Sequence, residues 1–182
     1  MPIVKSVEPF ARKVPTSMDA EINKLLMRKA GALLARRPYS RGELREKLVR
    51  IAGASPAESV LDRLEQLNLL NDADYAYNFA LCRIKQDGWG PAKVQNALLR
   101  RQIRVTIIEG ALERVRTELG GESALDAYLR EYCGKRKPPS DVKSLRKLIS
   151  HLLQRGFDKD SISAALRQIV PGELWRQFES GE

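Results

Sequence analysis

Apolar residues recur along this chain at three- and four-residue intervals, and turn residues cut the pattern into short segments. From about Asp19 to Arg36, the residues Ile22, Leu25, Leu26, Leu33 and Leu34 share one face at helical spacing, and Pro38 ends the run. Ser40 with Glu43 spells an S-x-x-E capping box, in which each side chain satisfies the other residue's free backbone N–H. Leu44 and Leu48 follow, and Gly53 stops this second helix. Ser55, Pro56 and Glu58 predict a second box opening a third helix, whose apolar face is Val60, Leu61, Leu64 and Leu67.

The pattern then recurs. A helix from about Asp72 carries Tyr75, Phe79 and Ala80 toward Ile84, and Gly88-Trp89-Gly90-Pro91 is a turn that opens the next helix, with Val94 and Leu98 inward. Thr106 with Glu109 offers another box before Ile108, Leu112 and Val115, and Gly120-Gly121 ends the unit. A third pass begins near Ser123 with Leu125, Tyr128, Leu129 and Tyr132. Pro138-Pro139 breaks it, and Asp141 caps a helix carrying Leu145, Leu148 and Ile149 that stops at Gly156. Asp158 or Asp160 opens a last long helix with Ile162, Leu166 and Ile169 inward. After Pro171-Gly172, Leu174, Trp175 and Phe178 make a short terminal helix that packs back.

The three middle helices are capped at Ser40, Gly90 and Asp141, steps of 50 and 51 residues, and the third helices carry Leu61, Leu112 and Leu166, steps of 51 and 54. Such a period predicts a supersecondary unit stacked as an array. The expectation is an all-α protein of three tandem three-helix repeats in an elongated, curved array. Residues 1–17, with Pro2, Pro9 and Pro15, form a tail; the repeats span 18–70, 71–121 and 122–182, the last with the short C-terminal helix.

Composition narrows the function. Lys and Arg total 32 against 23 Asp and Glu, a formal net charge of +9, which favours a polyanionic partner. Two cysteines, Cys82 and Cys133, make no disulfide framework and fit a reducing cytosol. No apolar run approaches the length that spans a bilayer and no signal peptide is evident, so a cytoplasmic protein is expected. The bases cluster at the end of each first helix and along each second helix. Stacking would align them into a stripe suited to an extended polyanion such as DNA in a nucleoprotein filament. The candidate contacts are Arg36, Arg37, Arg41, Arg45, Arg83, Lys85, Trp89, Lys93, Arg100, Arg101, Lys143 and Lys147. The bland alternative is a solvated face with i, i+4 pairs such as Glu43–Lys47 and Glu46–Arg50. For Trp89 it is a staple between two helices rather than a stacking surface.

Catalytic chemistry is hard to find. The one histidine, His151, has no evident acid or nucleophile partner. The cysteines belong to no zinc spacing, and no phosphate-binding glycine loop occurs. No enzyme, metal or cofactor is expected.

Leu34-Ala35-Arg36-Arg37-Pro38-Tyr39-Ser40-Arg41-Gly42-Glu43-Leu44-Arg45-Glu46-Lys47-Leu48 contains an Arg followed by S-x-x-E-L-x-x-K-L. Leu69 to Ala76, Arg83 to Leu98 with Gly90-Pro91, and Leu152 to Phe157 carry further motif pieces. Together these resemble the bacterial regulatory protein RecX family over about residues 20–170. Asn68 stands where that family usually has Gly, Asn71 replaces an Asp, and Gln102 replaces the Gly of a helix stop. The resemblance implies a modulator of the recombinase RecA. Such a protein binds the RecA monomer and its filament on single-stranded DNA, and restrains filament growth, ATP hydrolysis, strand exchange and coprotease activity. It places the chain in DNA repair, recombination and the SOS response. A monomer is expected. The rival reading is a stand-alone DNA-binding protein using its units like helix-turn-helix modules.

Overall fold

The computed structural model describes residues 17–180, and its regular elements are helices: α1 (Ser17–Leu34), α2 (Arg41–Ala52), α3 (Ala54–Gln66), α4 (Asp72–Lys85), α5 (Pro91–Leu99), α6 (Val105–Glu118), α7 (Ala124–Lys135), α8 (Val142–Arg155), α9 (Lys159–Ile169) and α10 (Gly172–Ser180). The tail expected at residues 1–17 lies outside the described residues except for Ser17, which opens α1.

Three cores form, each from helices consecutive in sequence. Leu26, Ala30, Leu44, Leu48, Val60, Leu61 and Leu64 join α1, α2 and α3. Ala76, Ala80, Val94, Leu98, Ile108 and Val115 join α4, α5 and α6. Leu125, Leu129, Leu145, Leu152, Ile162 and Leu166 join α7, α8 and α9, and Leu174 and Trp175 of α10 close that core. Burying one such leucine contributes about 1.5–3 kcal/mol. The N-caps of α2, α5 and α8 are Ser40, Gly90 and Asp141, compatible with a repeating three-helix unit.

Local chemistry explains where helices begin. Ser40 Oγ accepts from the Glu43 N–H and Glu43 Oε2 accepts from the Ser40 N–H, each at 3.1 Å, completing the expected box. Asn71 caps α4 by accepting from the N–H groups of Ala73 and Asp74. Asp158, not Asp160, caps α9 through the Ser161 N–H at 2.8 Å.

Two expected boxes are absent. α3 starts at Ala54 straight from Gly53, so Ser55 is already helical and Glu58 turns to arginines of α2. α6 starts at Val105 after Arg104, which puts Thr106 inside the helix. Three leucine-type residues expected inward are instead exposed: Leu25 at the edge of the α1 stripe, Leu67 beyond the last turn of α3, and Ile169 at the end of α9. Asn68 and Gln102 both have positive φ, 53° and 60°, which is the conformation glycine adopts most readily at a helix stop.

The units meet at two joints of the same kind. At the first, Ser40 Oγ at the start of α2 donates to the Arg101 carbonyl just past α5, at 2.7 Å. At the second, the Gly90 N–H at the start of α5 donates to the Arg155 carbonyl at the end of α8, at 2.7 Å, and the Ala92 N–H donates to the Gly156 carbonyl at 3.2 Å. At the second joint unpaired N–H groups of one helix start satisfy carbonyls of another helix end, and at the first the capping serine's hydroxyl supplies the donor. Each joint also brings the positive end of one helix dipole to the negative end of the next.

The approach is close. A Cβ on Gly90 would lie 2.4 Å from the carbonyl carbon of Gly156, and one on Gly42 would lie 2.4 Å from Gln102 Cβ. Gly90→Ala is therefore expected to destabilise the chain by about 1–3 kcal/mol. Gly110→Ala, in the exposed middle of α6 with nothing within 4 Å, should instead stabilise it by about 0.5–1 kcal/mol. Urea unfolding of the two variants checks both signs.

A candidate nucleic-acid interface at the second joint

The residues picked out from sequence separate into two groups. In the first three-helix unit most are neutralised from within. Glu58, Asp62 and Glu65 fall at helical spacing on α3 and face α2. The Arg41 guanidinium reaches all three, at 2.7, 2.8 and 2.7 Å. Arg45 also pairs with Glu58, and Arg45 first, then Arg41, holds that carboxyl below the usual range. Arg37 pairs with Glu43 at 3.3 Å and lies 3.7 Å over the Tyr39 ring. Arg101 is half-buried in the first joint, donating to the Tyr75 hydroxyl at 3.1 Å and to the Ala97 carbonyl at 2.7 Å. Arg36 is exposed and has no acid partner among the described residues.

The second group gathers around the second joint. Arg83 pairs with Asp87 and Lys85 with Glu118. Trp89 is half-buried there, edge-on to Phe79 at 6.3 Å, with Arg83 at 5.1 Å and Lys93 at 4.7 Å from its ring. It is thus both staple and wall. Lys93, Arg100, Lys143 and Lys147 have no acid partner among the described residues. These last four line three adjoining hollows that all share Gln154, with Lys93 common to the first two and His151 to the first and third.

The largest hollow is a cleft of about 870 Å³ between the α4–α5 turn and the faces of α7 and α8. Its residues include several that sequence reading did not select: Tyr128, Tyr132, Arg136, His151 and Arg155. Tyr128, Tyr132 and Arg136 repeat every four residues, so they form one row along α7 and its C-cap. That spacing was the available signal.

The rings of Tyr128 and Tyr132 are stacked with centroids 6.3 Å apart, and Arg136 lies 5.5 Å over Tyr132. The Tyr128 hydroxyl is hydrogen-bonded to His151 Nε2 at 2.8 Å. Arg155 donates to the Asp87 carbonyl and lies 5.4 Å over Tyr128, tying the α4–α5 turn to α8. Gly88, at φ 61°, leaves room for the Tyr128 ring, which a Cβ there would meet at 2.7 Å.

Both acids in the cleft are spent, Asp87 on Arg83 and Glu131 on Lys135. Lys93, Arg136 and Arg155 therefore leave it cationic. Burial, then the charges of Arg155 and Arg136, lower the pKa of His151 and so favour its neutral form. Among the described residues no cluster of His, Cys, Asp and Glu could hold a metal ion. What the arrangement offers is flat rings interleaved with cations, the combination that receives nucleic acid.

The chain is 36% identical over 143 residues to the regulatory protein RecX of Pseudomonas putida, covering 78% of this chain and 88% of that one. The chain belongs to the RecX family. The regulatory protein RecX of Pseudomonas tolaasii is 37% identical over 142 residues, 76% of this chain and 88% of the relative. That of Thermus thermophilus is 40% identical over 100 residues, 55% of this chain and 66% of the relative. No family model matches. The crystal structure of RecX from Lactobacillus salivarius shares the fold with a TM-score of 0.64 at 22% identity, over 82% of this chain and 97% of that one. The all-helical fold expected from the repeat pattern is thus the RecX fold. No described helix is long and apolar enough to cross a membrane.

With one histidine in the chain, the electrostatics of this RecX cleft can be read from one proton signal. His151 should titrate below the ordinary histidine value in an NMR pH series. Arg155→Ala removes a repelling charge and should move the midpoint up. Because the folded-state value is depressed, the stability linked to His151 is full above the unfolded value and lost as pH falls toward the folded one.

Proposed function

We propose that this protein is a non-catalytic regulator of the recombinase RecA. In this reading it binds RecA as monomer and as filament on single-stranded DNA, and restrains filament growth, ATP hydrolysis, strand exchange and coprotease activity. It acts in the cytoplasm as a monomer and tunes DNA repair, recombination and the SOS response. Membership of the RecX family carries this reading. The cationic surface around the second joint supports it, because Lys93, Arg100, Lys143 and Lys147 have no internal acid to satisfy them and a nucleoprotein filament presents phosphates in a row. Contacts at more than one unit would add their binding energies. The working face is then α5 and α8. Arg41 and Arg45 of α2 hold α2 to α3.

The test is single-stranded-DNA-dependent ATP hydrolysis by RecA of the same organism, with this protein well below one copy per recombinase. Strong suppression is expected, and no effect at equal amounts would sink the reading. Charge reversal of Lys143 and Lys147 together should weaken suppression and reduce the salt slope of DNA-complex binding by about two. Arg41→Ala should leave that slope unchanged and lower stability by about 1–2 kcal/mol, because it removes a multiply bonded, mostly covered guanidinium.

A further inference from the structure

We propose that the cleft at the second joint takes an unpaired nucleic-acid strand, with one base stacked against Tyr132 and Arg136 and the neighbouring phosphates on Lys93 and Lys147. The proposal deepens the reading above by naming the form of the polyanion and the place that holds it. Four observations carry it.

The first is shape. The site is concave, about 870 Å³, and walled by the α4–α5 turn, α7 and α8. A duplex shows its base edges only inside grooves, which a protruding helix or ribbon enters. A hollow suits a base that has left its stack.

The second is the row along α7. Tyr128 is already committed, its hydroxyl to His151 and its ring against Gly88. Tyr132, four residues on, is half-exposed and its hydroxyl has no partner among the described residues. Arg136, over its ring, is exposed and has no acid partner among the described residues. A tyrosine ring and a guanidinium plane are both among the protein surfaces on which bases stack.

The third is charge. The two acids of the cleft are each paired, so a phosphate entering it meets cations and no free carboxylate. The adjoining hollow continues past His151 to Lys143, Arg146 and Lys147, giving a polymer somewhere to run. An acidic peptide would use those cations and gain nothing from the rings.

The fourth is preorganisation. Arg155 fixes the α4–α5 turn, and the backbone bonds of Gly90 and Ala92 fix α5 against α8, so both walls stand before a strand arrives.

The experiment is fluorescence anisotropy of the full chain with labelled oligothymidylate and with a duplex of equal length, recombinase absent, across a salt series. The strand should bind at least about tenfold tighter than the duplex. Tyr132→Ala should weaken strand binding about tenfold, the worth of one stacked base, with the salt slope unchanged, and Tyr132→Phe should bind as wild type. Lys147→Ala, at an exposed position that leaves the core intact, should lower the slope by about one.

Duplex binding as tight as the strand, or wild-type affinity in Tyr132→Ala, overturns the proposal. So does displacement of the strand by polyglutamate as readily as by unlabelled oligothymidylate. Since recombinase is absent, such a result leaves the regulatory reading standing, and that reading fails separately if ATP hydrolysis is not suppressed.

Discussion

A helix ends with carbonyls that have no partner in the helix and begins with N–H groups in the same condition, and this protein sets the two against each other. The carbonyls of Arg155 and Gly156 receive the N–H groups of Gly90 and Ala92, and the carbonyl of Arg101 receives the Ser40 hydroxyl. Each contact removes polar groups that are costly to bury alone and joins opposite ends of two helix dipoles. The cores inside the three-helix units could each form locally. The relation between units rests on these bonds, on side-chain bonds such as Arg41 N–H to Asp72 and Arg155 to the Asp87 carbonyl, and on the missing side chains at Gly42, Gly90 and Gly156.

The joints also decide which cations are available to a partner. Around the first, Arg41, Arg45, Arg37 and Arg101 are drawn into pairs with Glu58, Asp62, Glu65, Glu43 and Tyr75. Around the second, the wall residues are aromatic and the acids are fewer, so Lys93, Arg136 and Arg155 stay uncompensated. An even stripe along the array becomes a surface weighted toward α5, α7 and α8.

Much of the helical framework could be read from sequence because its signals are local. The capping box of Ser40 and Glu43, the proline after Gly90 and the stop at Gly156 each involve residues within one turn of each other. The boxes at Ser55 and Thr106 failed for an equally local reason, since the helices there begin one residue ahead of the serine or threonine. The site was less legible. The acids at 58, 62 and 65 make a visible row, but only tertiary structure shows that Arg41 faces it. Likewise Tyr128, Tyr132 and Arg136 form a row whose meaning depends on the α4–α5 turn, some forty residues earlier, lying opposite.

The bonds at the second joint are made between main-chain atoms, with glycine on both sides. Main-chain atoms are the same in every residue, so a seam of this kind carries no amino-acid code to be matched beyond the demand for smallness. A duplicated unit inherits both halves of the seam at once. Such an array can be lengthened by gene duplication without a new interface having to arise, and its outward residues are free to take on separate tasks in each copy.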